Sequence, residues 1–93
     1  MKVSIQAAAL ADLERIFEWI SRDSPVNARS VTDRILDAIE TTVASFPFIG
    51  RNGRRIGTRE WVVTGLPYIV IYEVDTARRL VIVRAVYHTA QQR

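Results

Sequence analysis

A chain of 93 residues has room for one compact domain and no second core. At 48% hydrophobic and 25% charged it falls in the globular range, away from disordered, collagenous and coiled-coil compositions; with no cysteine and one histidine, it offers neither disulfides nor iron–sulfur ligands nor an all-protein metal site. The formal net charge of +3 is unevenly placed: five basic residues face seven acidic ones up to Ile49, whereas eight arginines face only Glu60, Glu73 and Asp75 from Gly50 onward.

Lys2 to Gln6 alternates polar and apolar residues and reads as a short half-buried strand. The period then changes. Leu10, Leu13, Ile16, Phe17 and Ile20 fall on one stripe of an amphipathic helix of about four turns. Met1 to Ala11 is too brief an apolar stretch for a secretory signal, and no later run reaches the ~18 residues of a membrane span. With the lack of cysteine, this sets the expectation of a cytoplasmic protein that uses no membrane. Ser24-Pro25 supplies a side-chain cap and a proline at the first position of a second helix. Its apolar face is expected at Ala28, Val31, Ile35, Ala38, Ile39 and Phe46, with Pro47 and Gly50 stopping it. So short a break makes the two helices an antiparallel hairpin.

Gly50 to Gly57 is a turn-rich basic loop carrying Arg51, Arg54 and Arg55. Three strand-like runs follow, Arg59 to Val63, Tyr68 to Asp75 and Leu80 to Tyr87, joined by connections short enough for hairpins. The expected fold class is therefore α+β: an N-terminal strand, then a helix hairpin packed on an antiparallel meander, all within one domain over 1–93. Simple alternation in the last run puts Leu80, Ile82, Arg84, Val86 and His88 on one side. A guanidinium among aliphatics needs a carboxylate such as Glu60 or Glu73, or else lines a groove for a ligand. His88 lies roughly 13 Å from Arg84 along the strand, too far for a catalytic pair, though both can border one surface. Trp19, off the main helical stripe, either rims the core or sits in an interface; Trp61 reads as core, and Tyr68 and Tyr72 as packing. No phosphate loop and no Ser/His/Asp arrangement is visible. Twelve of the thirteen basic residues are arginine, suited to multi-donor contact with carboxylates or phosphates.

Several short motifs follow one another in order: Ala11-Asp12-Leu13, Ser24-Pro25, Phe46-Pro47 with Gly50-Arg51, Gly57-Thr58-Arg59-Glu60, Pro67-Tyr68 with Ile71-Tyr72, and Arg84 before His88. In this order they resemble the toxins of the bacterial RelE/ParE superfamily, over nearly the whole chain. The resemblance implies the toxin of a type II toxin–antitoxin pair, a growth inhibitor of one of two kinds. RelE-like members cut mRNA in the ribosomal A site; ParE-like members poison DNA gyrase. The nuclease branch uses an arginine where this chain has Ile69 and a tyrosine where it has Thr89. One histidine and scattered arginines are poorly suited to deprotonate a 2′-oxygen, stabilise the phosphorane and protonate the leaving oxygen. The Gly-Thr-Arg-Glu and Pro-Tyr segments also resemble the ParE branch more closely.

The expectation is thus a ParE-like gyrase inhibitor that acts by binding, without catalytic residues, cofactor or metal, neutralised by a ParD-like antitoxin in a hetero-oligomer. Trp19, Arg51, Arg54, Arg55, Arg59 and Arg84 are the expected contacts with antitoxin or target. The alternatives are a RelE-like endoribonuclease using Arg59, Arg84 and His88, and a nontoxic module that takes up a peptide by strand addition.

Overall fold

The computed structural model describes residues 1–91. The chain runs β1 (Lys2–Ile5), α1 (Ala7–Ser21), α2 (Pro25–Ala38), a π-helical turn (Ile39–Val43), β2 (Arg51–Asn52), β3 (Arg59–Val62), β4 (Tyr68–Asp75) and β5 (Leu80–His88). The strands form one five-stranded sheet in the order β1-β5-β4-β3-β2. Residues 59 to 88 make the expected antiparallel meander. β1 joins it in parallel beside β5, with Lys2 opposite Leu80 and Ile5 opposite Val83, which makes the sheet mixed. The basic loop is more ordered than expected: Arg51 and Asn52 pair with Glu60 and Arg59 as a two-residue edge strand.

Both helices pack on one face of the sheet, and the core between the layers is built from Ala9, Leu13, Ile35, Ile39, Val43, Val70, Tyr72, Val81, Val83 and Val86. Ser24 caps α2 as expected: its hydroxyl accepts the Asn27 amide at 3.1 Å, and Pro25 follows at the first helical position.

Two expected helical faces need correction. On α1 the buried line is Ala9, Leu13 and Ile16, while Leu10 and Phe17 stay exposed. Leu10 and Phe17 each stand one residue past a member of that line, about 100° round the helix, which carries them out of the interface with the neighbouring layer. On the second helix, Phe46 is 66% exposed and Val43 and Ala44 take the core in its place. The π turn inserts an extra residue and advances the phase by about 100°, so a fixed 3.6-residue period misplaces everything after Ile39.

Beyond Phe46, the chain is tied to the sheet by Tyr72. Its hydroxyl accepts the Gly50 amide at 2.9 Å and donates to the Pro47 carbonyl at 2.8 Å. Gly50 fits because a Cβ there would stand 2.7 Å from that hydroxyl and 2.9 Å from the Glu60 carbonyl oxygen. Among the described residues, no helix is long and apolar enough to cross a membrane.

Candidate functional site

The sheet has a helix-covered face and an open face, and a β-bulge decides which residues of β5 reach each. Ile71 stands opposite Ala85 and Tyr72 opposite Val83, so Arg84 is the extra residue. Val81 and Val83 before the bulge, and Val86 after it, all turn toward the helices. Arg84 and Ala85 both line the open face. This corrects the simple alternation, which grouped Arg84 with Val86 and His88: a two-for-one pairing resets the period of two.

The open face holds a cavity of about 690 Å³ whose polar lining includes Arg54, Arg55, Glu60, Glu73, Arg84 and Tyr87. Arg84 answers both readings of its role. Its Nε donates to Glu73 Oε2 and its Nη1 to Gln6 Oε1 at 3.5 Å, yet its side chain remains 46% exposed at the edge of the cavity. Glu60 is 7% exposed and accepts from Arg51 at 3.5 Å.

Arg59 sits elsewhere. Its Nη1 donates to the Gly50 carbonyl at 2.7 Å and to that of Phe48 at 3.4 Å, and its guanidinium lies over the Phe48 ring, 4.8 Å from the centroid. These contacts hold the 47–50 segment against the sheet edge. Together with the Gly50 amide, the Arg59 charge pulls the Tyr72 hydroxyl downward, but burial outweighs both and leaves its pKa raised; burial alone raises that of Tyr68.

Trp19 and His88 belong to a third place, a cavity of about 530 Å³ on the helix side that also has Asp12, Arg15, Arg22 and Tyr68 in its wall. Trp19 is 67% exposed with the Arg22 guanidinium 5.2 Å from its ring centroid, so it lies outside the buried core. His88 packs edge-on against Tyr68 at 5.3 Å between centroids, and its Nδ1 accepts the Ala90 amide at 3.0 Å. That bond places the proton of the neutral ring on Nε2.

The sequence reading missed Asp12. β1 stops at Ile5, so the β5 edge beyond Val83 has no strand beside it, and Asp12 Oδ2 takes up the Val86 amide at 3.0 Å while Oδ1 accepts from Arg15. Only its place in Ala11-Asp12-Leu13 hinted at this, because helical periodicity puts it on the polar side.

The structure thus brings together Arg54, Arg55 and Arg84, sets Arg51 and Arg59 along the neighbouring sheet edge, and separates Trp19 onto the opposite layer. Arg59, Arg84 and His88, the set a nuclease would need, line three different cavities.

Against this geometry, the family of the ParE toxin of the type II toxin–antitoxin system parDE matches residues 3–93. The chain belongs to that family. A relative from Sinorhizobium fredii (strain NBRC 101917 / NGR234), named Putative toxin Y4kP, is 38% identical over 84 residues, covering 90% of this chain and 83% of its own. Among solved structures, a chain of the chromosomal ParDE system from P. aeruginosa superposes on this ParE-family fold with a TM-score of 0.77 at 16% identity, over 95% of each chain. A chain of the RelBE2 toxin–antitoxin complex from Mycobacterium tuberculosis does so at 0.72 and 19%, over 97% of this chain and 92% of its own. The isolated E. coli RelE toxin follows at 0.61 and 14%, covering 98% and 86%. At such identities these likenesses speak for the shared fold, which hosts more than one chemistry.

Proposed function

We propose that this ParE-family toxin inhibits DNA gyrase by docking onto it, without cutting nucleic acid, and that a ParD-like antitoxin holds it in check. One observation carries the reading: the groups that a phosphodiester-cleaving site would bring within reach of one phosphate are dispersed. Arg84 is engaged by Glu73 on the open face, Arg59 by backbone carbonyls at the sheet edge, and His88 by Tyr68 and the Ala90 amide in the helix-side cavity. General acid, general base and charge stabiliser must lie within about 3 Å of the reacting atoms, and side chains held by different partners, with no one cavity lined by all three, do not meet that need.

The same dispersal suits a protein that works by contact. Arg51, Arg54, Arg55 and Arg84 present cations along the open face and its edge, where an acidic antitoxin segment or an acidic gyrase surface gains charge-assisted hydrogen bonds. The solved relatives from P. aeruginosa and M. tuberculosis come from toxin–antitoxin systems, which supports an antitoxin partner here. Trp19, on the other layer, offers an apolar anchor for a partner that wraps around both.

The test is direct. Purified toxin is added to gyrase and supercoiled plasmid, and separately to ribosomes programmed with mRNA. Accumulation of cleaved gyrase–DNA complexes with intact mRNA is the expected result; mRNA cleavage that Arg59→Ala or His88→Ala abolishes, with gyrase unaffected, overturns the proposal in favour of an endoribonuclease.

A further inference from the structure

The tip of the β2–β3 hairpin is built with more care than a solvated loop requires. Gly53 N donates to the Thr58 carbonyl at 2.8 Å, Thr58 N to the Arg55 carbonyl at 3.1 Å, and Thr58 Oγ1 to that same carbonyl at 2.7 Å. A Cβ on Gly53 would stand 2.3 Å from Thr58 Oγ1, and Gly57 has φ +86°, so two glycines make the turn possible. What this frame displays is Arg54, Arg55 and Ile56, all exposed, with the Ile56 side chain entirely in solvent. One flank of the tip is the open-face cavity, where Glu60 and Glu73 also lie. The other flank is a groove of about 470 Å³ with Arg54, Arg55 and Arg59 in its wall, together with Phe48 and Ile56, and, among the described residues, no carboxylate. The guanidiniums of Arg54 and Arg55 beside that groove, with Arg59 held behind them by backbone carbonyls and an aliphatic point projecting past them, complement a polyanion that also has an apolar interior.

We propose that this tip is a contact for double-stranded DNA, with Arg54 and Arg55 on backbone phosphates and Ile56 entering the groove between them. Arginine holds phosphates through paired N–H donors, and aliphatic side chains flanked by cations are the wedges with which proteins enter the minor groove. The Ile56 point favours the duplex over a single strand, where flat aromatic platforms do the work. The choice of DNA as the polyanion rests on the gyrase reading, since gyrase presents its inhibitor with a bound duplex.

The full-length toxin is titrated, without gyrase, into a labelled duplex of about 20 base pairs and its isolated strand, over ~50 to ~200 mM salt. Two phosphate contacts predict that affinity for the duplex falls about tenfold over that range. R54A/R55A should remove that component, lowering the slope of log affinity against log salt by about 2, while Ile56→Ala weakens duplex binding with its slope unchanged. Circular dichroism should show both variants folded, because the replaced side chains are exposed. No duplex binding at the lowest salt, binding indifferent to R54A/R55A, or tighter binding of the isolated strand each overturns the proposal. So does loss of affinity for purified gyrase in R54A/R55A with no duplex binding in either form, which would make the tip a protein contact. Gyrase inhibition without duplex binding sinks this inference and spares the gyrase reading; duplex binding without gyrase inhibition does the reverse.

Discussion

Tyr72 shows how much one buried hydroxyl organises in this chain. It joins the Gly50 amide and the Pro47 carbonyl, so it anchors the strap that leaves the second helix and enters the sheet edge. Tyr72→Phe strands both backbone groups and should cost about 1–3 kcal/mol, measured by urea unfolding. Burial raises the pKa of Tyr72 and Tyr68 above the ordinary 10.0, so the folded state holds both phenolic protons more tightly than the unfolded one. Their contribution to stability is therefore complete below about pH 10 and is lost as pH climbs through that value toward the raised ones. Unfolding midpoints should fall steeply on the alkaline side for the native chain and less steeply for Tyr72→Phe. Arg79 is the one described residue other than glycine with a positive φ, at 54°. Arg79→Gly should gain up to ~1 kcal/mol by releasing that strain. Arg84→Ala removes an exposed ion pair of small worth, about 0–1 kcal/mol, so its thermal midpoint should hardly move. A marked loss of growth inhibition or of antitoxin affinity in that variant would then reflect the open face, whereas loss of the fold would make Arg84 structural.

At the scale of elements, the parts with a clean period were legible and those with an interrupted one were not. Ser24-Pro25 announced the start of α2 through a cap and a fixed φ, both local properties. β4 was readable to its end residues because a run rich in β-branched and aromatic residues lies between two turn segments, Thr64 to Pro67 and Asp75 to Arg78. Two of the three errors of face have one cause: the π turn at Ile39–Val43 and the bulge at Arg84 each insert a residue, which shifts every later side chain while leaving composition untouched. The third, on the unbroken α1, arose because alanine carries little weight in an apolar stripe, so the fully buried Ala9 went uncounted. The pairing of β1 with β5 was also out of reach, since parallel neighbours almost eighty residues apart in sequence leave no local signal. Asp12 belongs to the same class, because a helix polar-face residue gave no sign that a sheet amide awaited it. Asp12→Ala should leave the Val86 amide unpaired, costing about 1–3 kcal/mol, and hydrogen exchange should quicken at Val86 before the rest of β5.

For the whole molecule, the uneven charge of the sequence has become a division of labour between layers. The acidic first half supplies the helices, and the arginine-rich second half supplies the sheet, its open face and its projecting turn. Family membership was legible from short motifs in their order, several of which mark junctions that the fold requires: Ser24-Pro25 a cap, Phe46-Pro47 a helix stop, Gly57 a tight turn. The dispersal of Arg59, Arg84 and His88 was not, because it depends on the bulge and on where Arg59 finds its carbonyl partners. Trp19→Ala and Arg84→Ala alter opposite layers. If a wrapping antitoxin engages both, the two variants should weaken its binding additively in calorimetry, within about 0.5 kcal/mol.

Shortening β5 by one residue at position 84 would be gentler than shortening it anywhere else between Leu80 and Val83. Without Arg84, Ala85 follows Val83 directly, the ladder opposite Ile71 and Tyr72 becomes regular, and Val86 keeps its inward aim. A deletion there excises the guanidinium and its irregular backbone in one stroke; one residue lost at Ile82 instead would drive a neighbouring valine out into water. Tolerance to lost length, not to changed chemistry, is thus what the doubled pairing confers on this strand.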